Sequence, residues 1–215
     1  MKIFRLPQKI RALIFDMDLT LYSNPEYGRY QIDCLVERLA LERGLSFDEM
    51  NREVEKVRLA WAESHGGKKP SLSNIFTKIG IGMDENVRWR EELLEPERFI
   101  GKDPKLKNTM EELSRFFILG IVTNNPVLVA RKTLAALGIK EYIPFLVGLD
   151  TCKVSKPDKI PFLRFSEISA CPCENCVSIG DRFDIDLDIP LQIGMGAVLV
   201  DGVEDVYELP GVLDN

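Results

Sequence analysis

The chain has 215 residues, 45% of them apolar, enough for one full domain with a smaller inserted module and too few for three domains. Its 28 Lys and Arg stand against 34 Asp and Glu, for a formal charge of -6. An acidic chain without a basic stripe is a poor nucleic-acid binder, because the phosphate backbone must be neutralised by cations.

No apolar run approaches the roughly 20 residues needed to cross a bilayer. The stretch Ala12–Phe15 is also too short for the core of a signal peptide. The expectation is a cytoplasmic protein with no membrane partner. Five cysteines are an odd number, and thiols in that compartment are more often free or metal-bound than paired.

In chain order, Ala12–Phe15 is the first buried apolar run and ends at Asp16. Four helical stretches follow, over about 27–43, 47–63, 71–79 and 84–94. Gly44 closes the first, and Gly66, Gly67 and Pro70 separate the second from the third. A helix over 104–116 leads into the run Ile118–Val122, which ends at Thr123. A helix over 126–137 stops at Gly138, where a helix C-terminal glycine belongs. Residues 145–149 form a third run ending at Asp150, followed by a helix over 158–169. Residues 176–179 lead to Gly180 and Asp181, a helix covers 184–193, and 197–200 end at Asp201.

Short runs without polar alternation suit parallel strands covered on both faces. Alternation of strand and helix predicts an α/β fold: a doubly wound, Rossmann-like, parallel five-stranded sheet. The core comprises 1–21 and 101–215, and an all-helical insertion spans 22–100.

In such a sheet, ligands bind at the carboxyl ends of the strands. The polar residues there are Asp16, Asp18 and Thr20, then Thr123 and Asn124, then Asp181 with Asp184 and Asp186, and Lys156 after the third strand. Several carboxylates in one crevice repel one another, and a divalent cation relieves the repulsion. All-oxygen ligands without a nearby histidine favour Mg²⁺ over zinc. Lys156 and the Thr123 hydroxyl suit an anionic oxygen cluster.

Asp16-Met-Asp-Leu-Thr20 resembles the first motif, DxDxT, of the haloacid dehalogenase superfamily. Val122-Thr123-Asn124 matches the second, Ser155-Lys156-Pro157-Asp158 resembles the third, and Gly180-Asp181 with an acidic residue following is similar to the fourth. The helical insertion lies where that family carries its C1 cap. The segment from Asp16 to Tyr22 is similar to the phosphoglycolate phosphatase-like and pyrimidine 5′-nucleotidase-like branches.

The resemblance implies a Mg²⁺-dependent phosphomonoester hydrolase acting on a small phosphorylated metabolite. In that scheme Asp16 is the nucleophile and Asp18 the proton donor and acceptor. Thr123, Asn124 and Lys156 bind phosphate. Asp16, the Asp18 carbonyl and Asp181 hold the metal. Thr20 supports the site, and Asp186 or its nearer rival Asp184 is the second acidic residue of the fourth motif.

Other chemistries on this fold are 2-haloacid dehalogenation, phosphomutase activity and non-catalytic binding. Asp18 and Asp181 argue against the dehalogenase, which needs neither an acid there nor a metal. An intact set of nucleophile, acid/base, lysine and metal aspartate argues against a purely binding role. Cys171, Cys173 and Cys176, with Cys152, raise a zinc reading, but paired CxxC knuckles are missing and free thiols are the expectation. His65 reads as a surface histidine. Trp61, Trp89, Arg88 and Arg90 read as packing or solvated residues, any one of which can reach the substrate. Substrate identity and oligomeric state are not written in the sequence.

Overall fold

The structure is a computed structural model and describes residues 1–67 and 70–213. It opens with strand β1 (Lys2–Arg5) and the fully buried β2 (Ala12–Phe15). Four helices follow: α1 (Pro25–Arg43), α2 (Phe47–Ser64), α3 (Leu72–Ile79) and α4 (Met83–Leu93). Then come α5 (Pro104–Ser114), β3 (Ile118–Val122), α6 (Val127–Leu137), β4 (Phe145–Val147), α7 (Leu149–Cys152) and α8 (Ile160–Ile168). The chain closes with β5 (Cys176–Gly180), α9 (Asp188–Gln192), β6 (Gly196–Leu199), α10 (Val203–Tyr207) and α11 (Leu209–Leu213).

The strands form one sheet in the order β1-β6-β5-β2-β3-β4, so it has six strands rather than the expected five. The added strand, β1, lies antiparallel to β6 at the sheet edge. All four of its residues are exposed, so it lacks the buried apolar run that marks the other strands. The third run is also shorter than expected. It stops at Val147, and Leu149–Cys152 is a helical turn. There the Asp150 carboxylate accepts from the Val127 N–H and fastens the start of α6. The 184–193 stretch is not one α-helix: Phe183–Leu187 is a wide π-turn leading into α9.

Register aligns the functional edge. Phe15 pairs with Ile121 on one side and Ile179 on the other. Asp16, Thr123 and Asp181 therefore leave the sheet along one edge. Both faces of the sheet are covered. Leu13, Phe15, Ile121, Ile179 and Val198 pack on one side with α5 and α6. Ala12, Ile14, Val122 and Val147 pack on the other with Phe162 and Phe165 of α8.

The four helices between β2 and α5 have a hydrophobic cluster of their own. Leu35, Leu39, Met50, Val54, Phe76 and Trp89 are all fully buried in it. Their ends are written locally. The Asn24 side chain accepts from Tyr27 N–H ahead of Pro25, and Gly44 ends α1 at φ 64°. Ser46 and Glu49 form a reciprocal capping box at the start of α2.

Candidate active site

The turn after β2 carries the first two acids. Thr20 and Leu21 N–H groups both donate to the Met17 carbonyl, which folds the chain back sharply. Leu19 takes a left-handed conformation, φ 61°, uncommon for a residue with a branched side chain. The turn brings the Tyr22 hydroxyl onto Asp18 Oδ1. Thr20 is fully buried, and its hydroxyl has no partner among the described residues.

Lys156 is buried between two carboxylates. Its Nζ lies 2.5 Å from Asp16 Oδ1 and 2.6 Å from Asp186 Oδ1. Burial alone would lower its pKa, but Asp16 and Asp186 outweigh burial and hold it raised and charged. The Asn124 side chain fixes the lysine's backbone, accepting from Lys156 N–H at 2.7 Å and donating to its carbonyl at 3.3 Å. Asn124, expected as a phosphate ligand, thus spends its amide on Lys156. The Thr123 hydroxyl accepts from Asn125 N–H at 3.2 Å, and Thr123 is not among the residues lining the cavity.

Asp186 is set by three bonds. Arg182 N–H donates to its Oδ2, its own N–H donates to the Arg182 carbonyl, and Ser178 donates to its carbonyl. Of the two acids weighed for the second position of the fourth motif, Asp186 faces Lys156. Asp184 lies 3.5 Å from Arg182.

Oxygens of Asp16, Asp181 and Asp186 lie within 4.8 Å of one another. At an effective dielectric of about 20, two such charges repel by roughly 3 kcal/mol or more. Burial, then Asp16 and Asp186, pushes the Asp181 carboxyl up to about 7. Three carboxylates less one lysine leave two negative charges, which one divalent cation balances. The donors are all hard oxygens, as Mg²⁺ requires. Among the described residues no other group of acids, cysteines or histidine is so arranged. Cys171, Cys173 and Cys176 are free thiols, and Cys176 Sγ is near the Cys171 and Pro172 carbonyls instead.

Asp18 sits in a second network that sequence reasoning missed. Gln31 of α1 donates to its Oδ1 at 2.9 Å, and Asn125 donates to its Oδ2 at 3.0 Å. Asn125 also donates to Gln31 Oε1 at 2.9 Å and accepts from Arg90 of α4 at 2.7 Å. Burial, then the charge of Asp16, raises the Asp18 pKa, against the donors Tyr22 and Gln31 and the charge of Arg90. The signals were slight: Gln31 shares the inward spacing of Tyr27 and Leu35, and Arg90 and Asn86, four apart, are the polar members of the buried face of α4.

These groups share one cavity of about 270 Å³, walled by the sheet edge below and by α1, α3 and α4 above. It holds a lysine opposed to carboxylates, a raised carboxyl beside them and three acids close enough together to hold a divalent cation. That set suits transfer of a phosphoryl group to an enzyme carboxylate, followed by hydrolysis.

Residues 10–194 match the family of haloacid dehalogenase-like hydrolases. The chain is 26% identical to a glyceraldehyde 3-phosphate phosphatase of Methanopyrus kandleri, over 89% of this chain and 84% of that protein. It is 25% identical to a phosphoglycolate phosphatase of Aquifex aeolicus, over 88% of this chain and 84% of that one. The fold is similar to the crystal structure of a HAD phosphatase from Thermococcus onnurineus, with a TM-score of 0.66, 24% identity and coverage of 95% and 98%.

Proposed function

The chain belongs to the haloacid dehalogenase-like hydrolases and is an enzyme of their phosphatase branch, and on that premise we propose that it is a Mg²⁺-dependent phosphomonoesterase working through a phosphorylated Asp16. The observation that carries this reading is the position of Lys156, 2.5 Å from Asp16 and 2.6 Å from Asp186, with Asp181 beside them.

Lys156, against Asp16, draws the phosphate oxygens toward it. An Asp16 oxygen forms the new bond to phosphorus as the ester P–O bond breaks. Asp18 gives its proton to the departing oxygen, a role that the upward shift of its pKa by burial favours. Asp18 then removes a proton from water as that water attacks phosphorus. The bond to Asp16 breaks, phosphate leaves and Asp18 is again protonated. Mg²⁺, held by Asp16, Asp181 and the Asp18 carbonyl, would neutralise charge on the phosphoryl oxygens and on the carboxylates. Asp186 positions Lys156. Thr20 packs within the turn, the Thr123 hydroxyl anchors the Asn125 N–H, and Asn124 fixes the Lys156 backbone beside the phosphate.

The four-helix insertion acts as a cap. It supplies Gln31, Ser73 and Arg90 to the cavity and restricts substrates to small phosphorylated metabolites. Relatives named for glyceraldehyde 3-phosphate and for phosphoglycolate fit that size class. No helix among the described residues is long and apolar enough to cross a membrane. Five free thiols suit a reducing cytoplasm.

The test is turnover of 4-nitrophenyl phosphate with Mg²⁺ by the wild type and by Asp16→Asn. The wild type turns over and the variant is inactive though folded. Near-normal turnover by Asp16→Asn rejects the assigned nucleophile.

A further inference from the structure

Arg90 is an unusual cation. It lines the cavity yet is only 6% exposed. Its two hydrogen bonds go to neutral amides, Asn86 Oδ1 at 3.0 Å and Asn125 Oδ1 at 2.7 Å. Among the described residues no carboxylate lies within 4.0 Å of it. Burial lowers its pKa to about 10, so it stays charged at neutral pH. Asp18, reached only through Asn125, offsets part of the burial. A buried guanidinium with no carboxylate in contact is still costly, and the cost falls when an anion arrives.

A second orphan lines the same cavity. Ser73, in the first turn of α3, is 1% exposed, and its hydroxyl has no partner among the described residues. The first turn of a helix also presents backbone N–H groups without intrahelical acceptors. The start of α3 is tied to the lysine loop. The Ser71 and Ser155 hydroxyls are 2.9 Å apart, and Ser155 donates to Asn74 at 3.0 Å. Ser73 therefore belongs to a wall fixed beside Lys156.

We propose that Arg90 and Ser73 form a second anion subsite, which takes a carboxylate of the substrate while its phosphate lies at Asp16 and Lys156. The substrate is then a short phosphorylated hydroxy acid rather than a neutral sugar or aldehyde phosphate. A guanidinium fork and a hydroxyl match the two oxygens of a planar carboxylate, and both are donors to an acceptor-only group. A cavity of about 270 Å³ holding both groups leaves room for only a few carbons between them. The assignment rests on the phosphatase reading and goes further by naming the substrate class. It makes Arg90 and Ser73 specificity residues.

The experiment compares two probes with Mg²⁺: 2-phosphoglycolate, and ethyl phosphate, which has a methyl in place of the carboxylate. The quantity read is the ratio of their kcat/KM values. The wild type should favour 2-phosphoglycolate by about 100-fold or more. Arg90→Met should cut that ratio at least tenfold, and Ser73→Ala severalfold, chiefly through KM. Arg90→Lys, which keeps a cation but loses the fork, should fall between wild type and Arg90→Met. If Arg90 only positions Asn125, both probes slow in parallel, and an unchanged ratio overturns the subsite. A wild type that prefers neither probe overturns it without any variant, while phosphatase activity itself stands. Inactivity on both probes and on 4-nitrophenyl phosphate rejects the phosphatase reading and the subsite with it.

Discussion

Asn125 donates its amide to Asp18 Oδ2 at 3.0 Å, across 107 residues of chain. The same side chain accepts from Arg90, so one asparagine joins the Asp18 carboxyl to the helical insertion. Asn125→Ala removes a donor from Asp18 and strips Arg90 of one of its two partners. Leaving buried polar groups unsatisfied costs about 1–3 kcal/mol. The expected outcome is a lower Tm together with a kcat loss of at least tenfold. Asn125→Asp should restore an acceptor to Arg90 but set a carboxylate against Asp18. Its stability should recover more than its turnover does, as thermal melts and steady-state kinetics on the same samples will show.

The two acids of the first motif should separate by leaving group. General acid catalysis contributes about 10²–10⁴-fold, and less where the leaving oxygen is already a stable anion. Asp18→Asn should therefore lose much more rate with an alkyl phosphate than with 4-nitrophenyl phosphate. Hydrolysis of the intermediate still lacks its base, so rapid mixing with the nitrophenyl ester should show a burst followed by slow turnover. Asp16→Asn should show neither. Equal losses of kcat/KM by Asp18→Asn on both esters, a quantity that does not include hydrolysis of the intermediate, would remove the leaving-group role from Asp18.

How far the site could be read from the chain depends on which bonds made it. Asp16, Thr123 and Asp181 end apolar runs of four or five residues, and parallel register brings such ends to one edge. Those residues were legible because strand periodicity alone places them. β1 was not, because its residues are all exposed and only its backbone bonds mark it as a strand. Gln31 and Ser73 were equally hidden as cavity-lining groups, and Arg90 stood out only as one of four cap residues able to reach the substrate. Their helices were readable from spacing and caps, but which face meets the sheet edge depends on how α1, α3 and α4 pack on one another. Asn124 and Asn125 show the limit most sharply. Both follow Thr123, yet one holds the Lys156 backbone and the other holds Asp18.

Metal binding should appear as stability. An ion that binds only the folded chain adds RT ln(1 + [L]/Kd), about 2.7 kcal/mol at a hundred times Kd. Mg²⁺ should raise the Tm of the wild type, and EDTA should abolish turnover until Mg²⁺ is restored. Asp181→Asn removes one of the three crowded charges. Its metal-free form should melt at or above the wild type, while its Mg²⁺-induced gain in Tm shrinks or vanishes. A full Mg²⁺ shift in Asp181→Asn would place the cation elsewhere.

Gly180 offers a test that leaves every charged group in the sequence. A Cβ at this position would lie 2.5 Å from Asp186 Cβ and 2.8 Å from its Oδ2. Real side chains do not approach so closely, so Asp186 must move. Moving it breaks the 2.6 Å contact with Lys156 and the bond from Arg182 N–H. Gly180→Ala should thus keep its secondary structure, since alanine tolerates the strand backbone, but lose activity by an order of magnitude or more and melt lower. Gly28→Ala is the stability counterpart. That glycine is in the first turns of α1, at the cavity wall, with nothing within 4 Å of an added Cβ, so the same substitution should stabilise the chain by up to roughly 1 kcal/mol. Circular dichroism melts of the two variants give the opposite signs directly. If Gly180→Ala stays fully active, the position of Asp186 is not what holds Lys156 in place.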